Sequence, residues 1–210
     1  MSGTYVSMYF IKTPELIKKG FPKAIWKLPT EGKELFLTFD DGPIPEITPW
    51  VLDQLKAYAA RATFFCIGSN IEQNQDLFKQ LIEQGHSVAN HTFNHQSGLR
   101  TNAKSYRIEV EKCGKLMDSD LFRPPYGVMK PKQYKDLIRD HRIVMWDVLC
   151  GDFDRKLNGQ QCAVNVIENA EAGSVVVLHD SLLAWPRLQT ALPIILDHFS
   201  GKGFSFKSIV

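Results

Sequence analysis

The chain has 210 residues, 44% of them hydrophobic, which suits one globular domain with a full core. Its 25 basic and 23 acidic residues nearly balance, so the composition indicates neither a nucleic acid partner nor binding to anionic lipid. No apolar run approaches the ~20 residues that a membrane span needs. We expect a monomer with no membrane span and no nucleic acid partner.

Residues 1–30 are predicted to form a lead-in segment ahead of a main domain at residues 31–210. Lys12, Thr13 and Pro14 interrupt the N-terminus before a signal-like apolar core could form. As the sequence is written, we expect a cytoplasmic protein, and an extracytoplasmic one if the N-terminus is incomplete. The cysteines lack C-x-x-C spacing, so without export we expect reduced thiols at Cys66, Cys113, Cys150 and Cys162.

Strand-like apolar runs and amphipathic stretches alternate after the lead-in segment. Strands are predicted near 35–40, 62–67, 86–90, 121–123, 143–146, 174–178 and 204–206. Helices are predicted near 14–19, 47–59, 71–84, 102–117, 130–139, 160–170 and 187–199. This alternation indicates parallel strands covered by helices on both faces, and it favours a barrel-like α/β domain. A doubly wound open sheet is the alternative.

The first predicted strand ends in an unusual way. Its apolar residues, 35–39, suit a buried strand, and Asp40, Asp41 and a Gly42-Pro43 turn follow directly. Two carboxylates at the end of a buried strand are costly to place there without a partner. The alternative is a solvated turn, because Asp-Gly and Gly-Pro are ordinary turn dipeptides.

Polar side chains also follow the other predicted strands. Because the carboxyl ends of the strands form the site in parallel α/β barrels, we expect these residues to converge on one face. They are His91 and His95 after the third strand, Arg123 at the end of the fourth, Asp152 after the fifth, and His179 with Asp180 after the sixth.

His91 and His95 are four residues apart, a spacing that would place both on one face of a helical turn, where they could chelate one cation. With a carboxylate from the first strand they leave coordination positions open, as catalytic zinc needs. Non-haem ferrous oxygenases use the same donors, but commonly on a jelly roll, which the alternating helices argue against. The other carboxylate would be a general base oriented by Arg123, and His179 a general acid. The alternatives are a surface salt bridge for Arg123 and a core role for His179.

In this order, the residues resemble the motifs of the polysaccharide deacetylase family, also called carbohydrate esterase family four or the NodB-homology domain. The similarity spans roughly residues 33–210. The five motifs are Thr38-Phe39-Asp40-Asp41-Gly42-Pro43, Asn90-His91-Thr92-Phe93-Asn94-His95, Arg123-Pro124-Pro125-Tyr126-Gly127, Asp152-Phe153 and Val177-Leu178-His179-Asp180.

The resemblance implies a distorted (β/α)7 barrel of the NodB-homology, or glycoside hydrolase–deacetylase, type, with residues 31–210 as the catalytic domain. It implies one divalent metal ion on Asp41, His91 and His95; zinc is the usual ion, and Co²⁺, Ni²⁺ and Mn²⁺ are the other candidates. The implied substrate is an acetylated carbohydrate, most often N-acetylglucosamine in chitin-like or peptidoglycan-like chains and sometimes O-acetylated xylan.

The resemblance also implies roles for the other site residues. Asp40, steered by Arg123, takes a proton from the attacking water, and the Tyr126 backbone N–H stabilises the oxyanion. His179, kept cationic by Asp152, protonates the departing sugar amine. The implied substrate-binding residues, which wall the acetyl methyl, are Pro125, Tyr126, Phe153 and Val177.

Three positions depart from the family pattern. Phe153 replaces the usual Trp, Leu149 stands where many members carry a further Asp, and Val177 replaces Leu. Two other functions stay open: hydrolysis of a small non-sugar amide, and carbohydrate binding by a catalytically weak relative. The first usually comes with a changed first Asp or metal set, and the intact Asp40 and His179 argue against the second.

Overall fold

The computed structural model, which describes residues 9–210, builds the apolar runs into one parallel sheet with helices packed around it. The strands are β1 (Glu34–Asp40), β2 (Thr63–Cys66), β3 (Ser87–Asn90), β4 (Leu121–Phe122), β5 (Arg142–Ile143), β6 (Val148–Leu149), β7 (Val175–His179) and β8 (Ser205–Phe206). The helices are α1 (Glu15–Gly20), α2 (Thr48–Ala57), α3 (Gly68–Gln73), α4 (Gln75–Glu83), α5 (Ala103–Gly114), α6 (Pro131–Leu137), α7 (Gly159–Asn169) and α8 (Trp185–Gly201). A 3₁₀ turn, Pro125–Gly127, follows β4.

The sheet curls back on itself. Its strands pair in the order β5-β4-β3-β2-β1-β7-β6, and β8 pairs with the start of β1. The two ends of this order, β5 and β6, belong to one continuous segment, 142–149, which pairs with β4 on one side and β7 on the other. The predicted strand at 143–146 is therefore wrong in detail, because two short strands flank residues 144–147. The predicted fold, a distorted (β/α)7 barrel, is confirmed.

Side-chain alternation along β1 separates the two faces of the sheet. The outward side chains join the large apolar core beneath the helices: Leu35, Leu37 and Phe39. Phe36 points inward and joins a second apolar cluster, which Ile209 near the C-terminus completes. Thr38 and Asp40 follow Phe36 on the same inner face. The interior of the curled sheet is therefore apolar where the strands begin and polar where they end.

The predicted helix at 71–84 consists of two helices, α3 and α4, which meet at Asn74. The Asn74 side-chain amide donates to the carbonyl of Asn70 at 3.0 Å and to that of Pro43 at 3.4 Å. Asparagine competes in this way for backbone groups, which explains why it interrupts helices. The break ties the two helices to the turn after β1. The other predicted helices are present, with ends shifted by a few residues.

The described part of the lead-in segment is bonded to the sheet. Lys12 forms an antiparallel bridge with Val148 of β6. The fully buried Asp147 carboxylate pairs with the ammonium groups of Lys12 and Lys18 at 2.7 and 2.9 Å. Residues 1–8 of the predicted segment lie outside the described residues. They include the start of the stretch in which a signal-like apolar core was not expected. The boundary at residue 31 stays a prediction.

Two further expectations concern the cysteines and the membrane. The cysteines are buried free thiols, in agreement with the expected reduced state: Cys66, Cys113, Cys150 and Cys162. Within residues 9–210, no helix has both the length and the apolar character that crossing a membrane requires.

Candidate active site

The ends of β1 and β7 place two site residues side by side. Asp40, the last residue of β1, lies opposite His179, the last residue of β7, in the parallel register. Asp41 follows with a backbone φ of 85°, in the left-handed region that Asp tolerates better than most residues. The Asn70 side-chain amide donates to the Asp41 carbonyl at 2.8 Å and holds this turn.

The side chains of Asp41, His91 and His95 converge. Asp41 Oδ1 lies 3.2 Å from His95 Nε2 and 3.8 Å from His91 Nε2. In the part of the chain that the structure describes, these residues form the one cluster of at least three His, Cys, Asp or Glu ligand atoms within 4.8 Å of one another. The sequence predicted that these three side chains would lie close together.

The predicted helical turn between the two histidines is wrong. Residues 91–95 contain no helix. Left-handed backbone at Thr92 (φ 64°) and at His95 (φ 54°) bends the segment instead. The Thr92 N–H donates to the side-chain oxygen of Asn90 at 2.9 Å, and its hydroxyl accepts from the Gln96 N–H at 3.1 Å. Local side-chain bonds of this kind compete with helix formation.

The three donors fit a divalent metal ion. His91 Nδ1 lies 2.8 Å from the Arg123 carbonyl, which can only accept, so Nδ1 carries the proton and Nε2 presents its lone pair to the cluster. Burial lowers the pKa of His91 to about 4, which keeps the imidazole in the neutral form that binds metals. A carbonyl bonded to the far ring nitrogen is typical of a metal-ligating histidine. Two imidazoles and one carboxylate also match the open donor sets of catalytic zinc.

Arg123 lies beneath this cluster and is 0% exposed. Its Nη1 donates to Asp40 Oδ1 at 2.6 Å and to the Thr38 hydroxyl at 2.7 Å. Nε and Nη2 donate to the carbonyls of Val144 and Met145 at 3.2 and 3.0 Å. The alternative of a surface salt bridge for Arg123 is therefore wrong. The Thr38 hydroxyl and two backbone carbonyls thus hold the guanidinium independently of its bond to the carboxylate.

Asp40 uses only one oxygen for Arg123. Its Oδ2 faces the cluster of Asp41, His91 and His95, 4.0 Å from His91 Nε2. Burial alone would raise the pKa of Asp40, but the charge and hydrogen bond of Arg123, together with the nearby histidines, hold the pKa below its ordinary value. Oδ2 is therefore a carboxylate oxygen directed at the place where a metal ion would be bound.

His179 and Asp152 form a second held pair. Asp152, fully buried, accepts from His179 Nδ1 through Oδ1 and from the His179 backbone N–H through Oδ2, both at 2.8 Å. Burial alone would lower the pKa of His179, but the charge and hydrogen bond of Asp152 raise it to about 10. The imidazolium is stable at neutral pH, and its Nε2–H is free of Asp152. The His179 side chain keeps 16% of its surface exposed, so the histidine is not enclosed in the core; its role as the general acid stays a prediction.

The sequence indicated no particular role for Asp180. Its fully buried carboxylate accepts from the Gly42 N–H at 3.1 Å and from the Thr48 hydroxyl at 2.5 Å. Burial raises the pKa of Asp180 to about 8. A Cβ at Gly42 would lie 2.1 Å from an Asp180 oxygen, so the motif glycine is required for this close approach. Asp180 holds the turn that carries Asp41.

Arg187, near the start of α8, was missed in the sequence. Its Nε donates to the Asp152 carbonyl at 2.5 Å, and its Nη2 donates to the Leu183 carbonyl. Arg187 is buried, and it ties together the two loops on either side of His179. No local pattern could identify it, because Asp152 lies 35 positions away and both acceptors are backbone carbonyls.

The 3₁₀ turn after β4 carries two of the predicted substrate-binding residues. Pro125 is buried, whereas Tyr126 is 66% exposed and has a left-handed φ of 61°. The Tyr126 ring centroid lies 4.6 Å from that of His95. At Gly127, where φ is 65°, a Cβ would lie 2.1 Å from the Trp146 ring, so this turn needs glycine. The turn places an exposed aromatic ring beside a predicted metal ligand.

The other two predicted substrate-binding residues lie on the His179 side. Phe153 packs edge-on against His179, with 5.4 Å between ring centroids. Val177 is buried two residues before His179 on β7, and therefore on the same face of the strand. Leu149, one of the departures from the family pattern, pairs with Val177 in the register of β6 and β7. An aromatic ring thus lies beside His95 and another beside His179.

A comparison with known families classifies the chain. Residues 27–145, more than half of its length, match the model of the family described as polysaccharide deacetylase. The chain belongs to the polysaccharide deacetylase family. Asp152 and His179 lie beyond the matched residues, so their assignment depends on the structural positions given above.

Individual relatives agree with this classification. A peptidoglycan-N-acetylglucosamine deacetylase of Bacillus cereus is 33% identical over 88% of this chain and 90% of its own length. The peptidoglycan-N-acetylglucosamine deacetylase PgdA of Listeria monocytogenes is 29% identical over 95% of this chain, which spans 41% of that relative. The solved Bc1960 peptidoglycan N-acetylglucosamine deacetylase superposes with a TM-score of 0.83 at 30% identity, over 94% of this chain and 95% of that one.

Proposed function

We propose that this chain is a metal-dependent hydrolase that removes acetyl groups from N-acetylated sugars of a polysaccharide. The observation that carries this proposal is the meeting of three groups in one site. The Asp41, His91 and His95 donors converge, Asp40 beside them is held by Arg123, and His179, the register partner of Asp40, is held by Asp152. A base and an acid at the same site as a set of metal donors suit the hydrolysis of an amide.

The metal site consists of Asp41, His91 and His95. A divalent ion bound there, for which zinc is the first candidate, would polarise the acetyl carbonyl and make an attacking water more acidic. The turn held by Asp180 and the carbonyl of Arg123 orient two of the three ligands. The backbone N–H of Tyr126 is proposed to donate to the oxyanion, a contribution worth about 3 kcal/mol in comparable sites.

Asp40 is the proposed general base. As water adds to the acetyl carbon, Asp40 Oδ2 accepts the proton that the water loses, while Oδ1 stays bonded to Arg123. The lowered pKa of Asp40 keeps it ionised at neutral pH, and the new carboxylic acid would be destabilised beside the guanidinium. This destabilisation favours release of the proton at the end of the cycle.

His179 is the proposed general acid. When the carbon–nitrogen bond breaks, the sugar nitrogen takes a proton from His179 Nε2, and the products are acetate and a free amine. Asp152 stabilises the imidazolium before transfer and fixes which ring nitrogen faces the substrate. Phe153 and Val177 are proposed to contact the acetyl methyl, with Pro125 and Tyr126 on the other wall.

The names of the relatives support peptidoglycan-like chains as the substrate and N-acetylglucosamine as the deacetylated residue. Such a substrate favours the extracytoplasmic location over the cytoplasmic one. Release of acetate from N-acetylglucosamine oligomers, peptidoglycan, chitin and acetylated xylan tests this proposal. Acetate from peptidoglycan or its oligomers is the expected result. Acetate from none of them, with metal bound, would leave the small-amide and binding-relative alternatives.

A further inference from the structure

Tyr9 lies outside the region that matches the family, which begins at residue 27, yet it contacts the loop that carries Asp152. Its hydroxyl donates to Asp154 Oδ2 at 2.7 Å. Its ring packs edge-on against Phe153, with 5.1 Å between ring centroids. The contact joins residues 145 positions apart.

The backbone near Tyr9 is well anchored. The Leu149 N–H donates to the Ile11 carbonyl at 2.8 Å, and the Thr13 N–H donates to the Asp147 carbonyl at 2.9 Å. These bonds add residues 11–13 to the edge of β6 as an antiparallel partner. Tyr9 therefore reaches the loop from a fixed strand-like segment.

The conformation of the loop that carries Asp152 and Asp154 brings a hydrogen-bond acceptor to the Tyr9 hydroxyl. Gly151 has a left-handed φ of 82°, and a Cβ at this position would lie 3.5 Å from the Tyr9 hydroxyl. The Asp154 N–H donates to the Gly151 carbonyl at 2.9 Å, and Asp154 Oδ1 accepts from the Lys156 N–H at 2.9 Å. The loop is thus a closed turn with one carboxylate oxygen directed at Tyr9.

The contacts of Tyr9 extend through Phe153 to His179, the proposed general acid. Phe153 lies between Tyr9 and His179, in edge-on contact with both rings. Asp152 holds His179 at Nδ1 alone among the ring atoms, so Phe153 is a separate constraint on the tilt of the imidazole. Removing Tyr9 frees one face of Phe153 and, through it, the orientation of His179 Nε2.

We propose that Tyr9 is a positioning residue for the leaving-group side of the site, acting through Phe153 on His179. The inference rests on the proposed function, since it assigns a role within that reaction. Loss of Tyr9 should affect amide cleavage, which needs a protonated leaving group, more than cleavage of an activated ester. A purely structural role for Tyr9 would lower both rates together, in proportion to the loss of folded protein.

The kinetic test compares Tyr9→Ala and Tyr9→Phe with Phe10→Ala, a matched change at a neighbouring aromatic residue that is 50% exposed. In Tyr9→Ala, kcat on an N-acetylglucosamine oligomer should fall about tenfold, as for modest misplacement of a reacting group, and the rate on an aryl acetate clearly less. Tyr9→Phe keeps the ring and should restore most of the loss. Equal losses on both substrates, or the same loss in Phe10→Ala, would overturn the proposal.

A second measurement does not depend on activity. The imidazole NMR signals of His179 report on the Phe153 ring beside it, and they should shift in Tyr9→Ala but not in Phe10→Ala. Unshifted His179 signals would overturn the role of Tyr9. Failure of the proposed function would appear separately, as absence of acetate release by the unmodified chain. If the Ala variant does not fold, Tyr9→Leu keeps the apolar volume and decides between the same outcomes.

Discussion

Arg123 and Asp40 form a buried ion pair, with Nη1 2.6 Å from Oδ1, where β4 and β1 end. A buried charge is tolerable only with a partner and with its remaining donors bonded, and Arg123 meets both conditions. The pair leaves Asp40 Oδ2 as the oxygen that faces the Asp41, His91 and His95 donors. Oδ2 is therefore the atom through which Asp40 would act in the proposed proton transfer.

Arg123→Met should destabilise the chain by about 3–5 kcal/mol, because it leaves Asp40 buried without its counter-charge. The pKa of Asp40 should rise, which moves the acid limb of the kcat/KM profile to higher pH. Asp40 has a lowered pKa in the fold, so its contribution to stability is present at neutral pH and lost as pH falls through that pKa. Urea unfolding at several pH values and pH–rate profiles measure both effects. The exposed Arg139→Met is the matched control, and an unchanged acid limb in Arg123→Met would contradict the pairing.

Asp40→Asn keeps the size of the side chain and its bond to Arg123 but removes the proton acceptor. Acetate release should fall by ~10²–10⁴-fold, the range for a positioned general base. Metal content, measured by elemental analysis, should stay near that of the unmodified chain, because Asp41 supplies the proposed ligand oxygen. Loss of the metal together with the activity would mean that Asp40 and Asp41 have exchanged roles.

His91→Ala and His95→Ala test the metal site. Each change removes one of three donors, so stoichiometric metal should be lost along with acetate release. His141→Ala is the control, since His141 precedes β5 at the opposite end of the strands. Full metal content in the double variant His91→Ala/His95→Ala would contradict the assignment.

The sequence predicted which side chains lie close together wherever a polar residue directly follows an apolar run. Asp40, Arg123 and His179 could be placed because the carboxyl ends of parallel strands share one edge of a sheet. The path between His91 and His95 could not be predicted from spacing alone. Left-handed backbone at Thr92 depends on side-chain bonds that compete with the helix.

Contacts between segments that are distant along the chain could not be predicted from the sequence either. Arg187 donates to backbone carbonyls, which every residue has, so no pattern of residue types indicates the partner. The lead-in segment gave no signal of its own, yet Tyr9 reaches the Asp152 loop through pairing at the edge of β6. The splitting of one predicted strand into β5 and β6 likewise follows from closure of the sheet rather than from local preference.

His179→Ala should separate amide from ester hydrolysis. An amine leaves poorly unless it is protonated, whereas an activated phenolate departs without help. The rate on an N-acetylglucosamine oligomer should therefore fall by ~10²-fold or more, and the rate on an aryl acetate by clearly less. Equal losses on both substrates would mean that His179 acts elsewhere in the reaction, for example in stabilising the oxyanion.

Asp152→Asn tests what keeps His179 loaded with its proton. The raised pKa of His179, about 10, depends on the charge and hydrogen bond of Asp152, and the amide removes the charge while it can still bond the ring. The pKa of His179 should therefore fall toward its ordinary value, and the alkaline limb of the amide pH–rate profile should move to lower pH. The Asp152–His179 pair should also make the free energy of unfolding depend on pH. A raised histidine pKa contributes stability that is full below about pH 6.5 and is lost as pH rises toward 10, so Asp152→Asn should weaken this pH dependence of stability. Asp154→Asn in the same loop is the matched control, because it removes a carboxylate that does not bond His179. An alkaline limb that stays in place in Asp152→Asn, or that moves equally in Asp154→Asn, would show that the Asp152–His179 pair does not set the protonation of the acid.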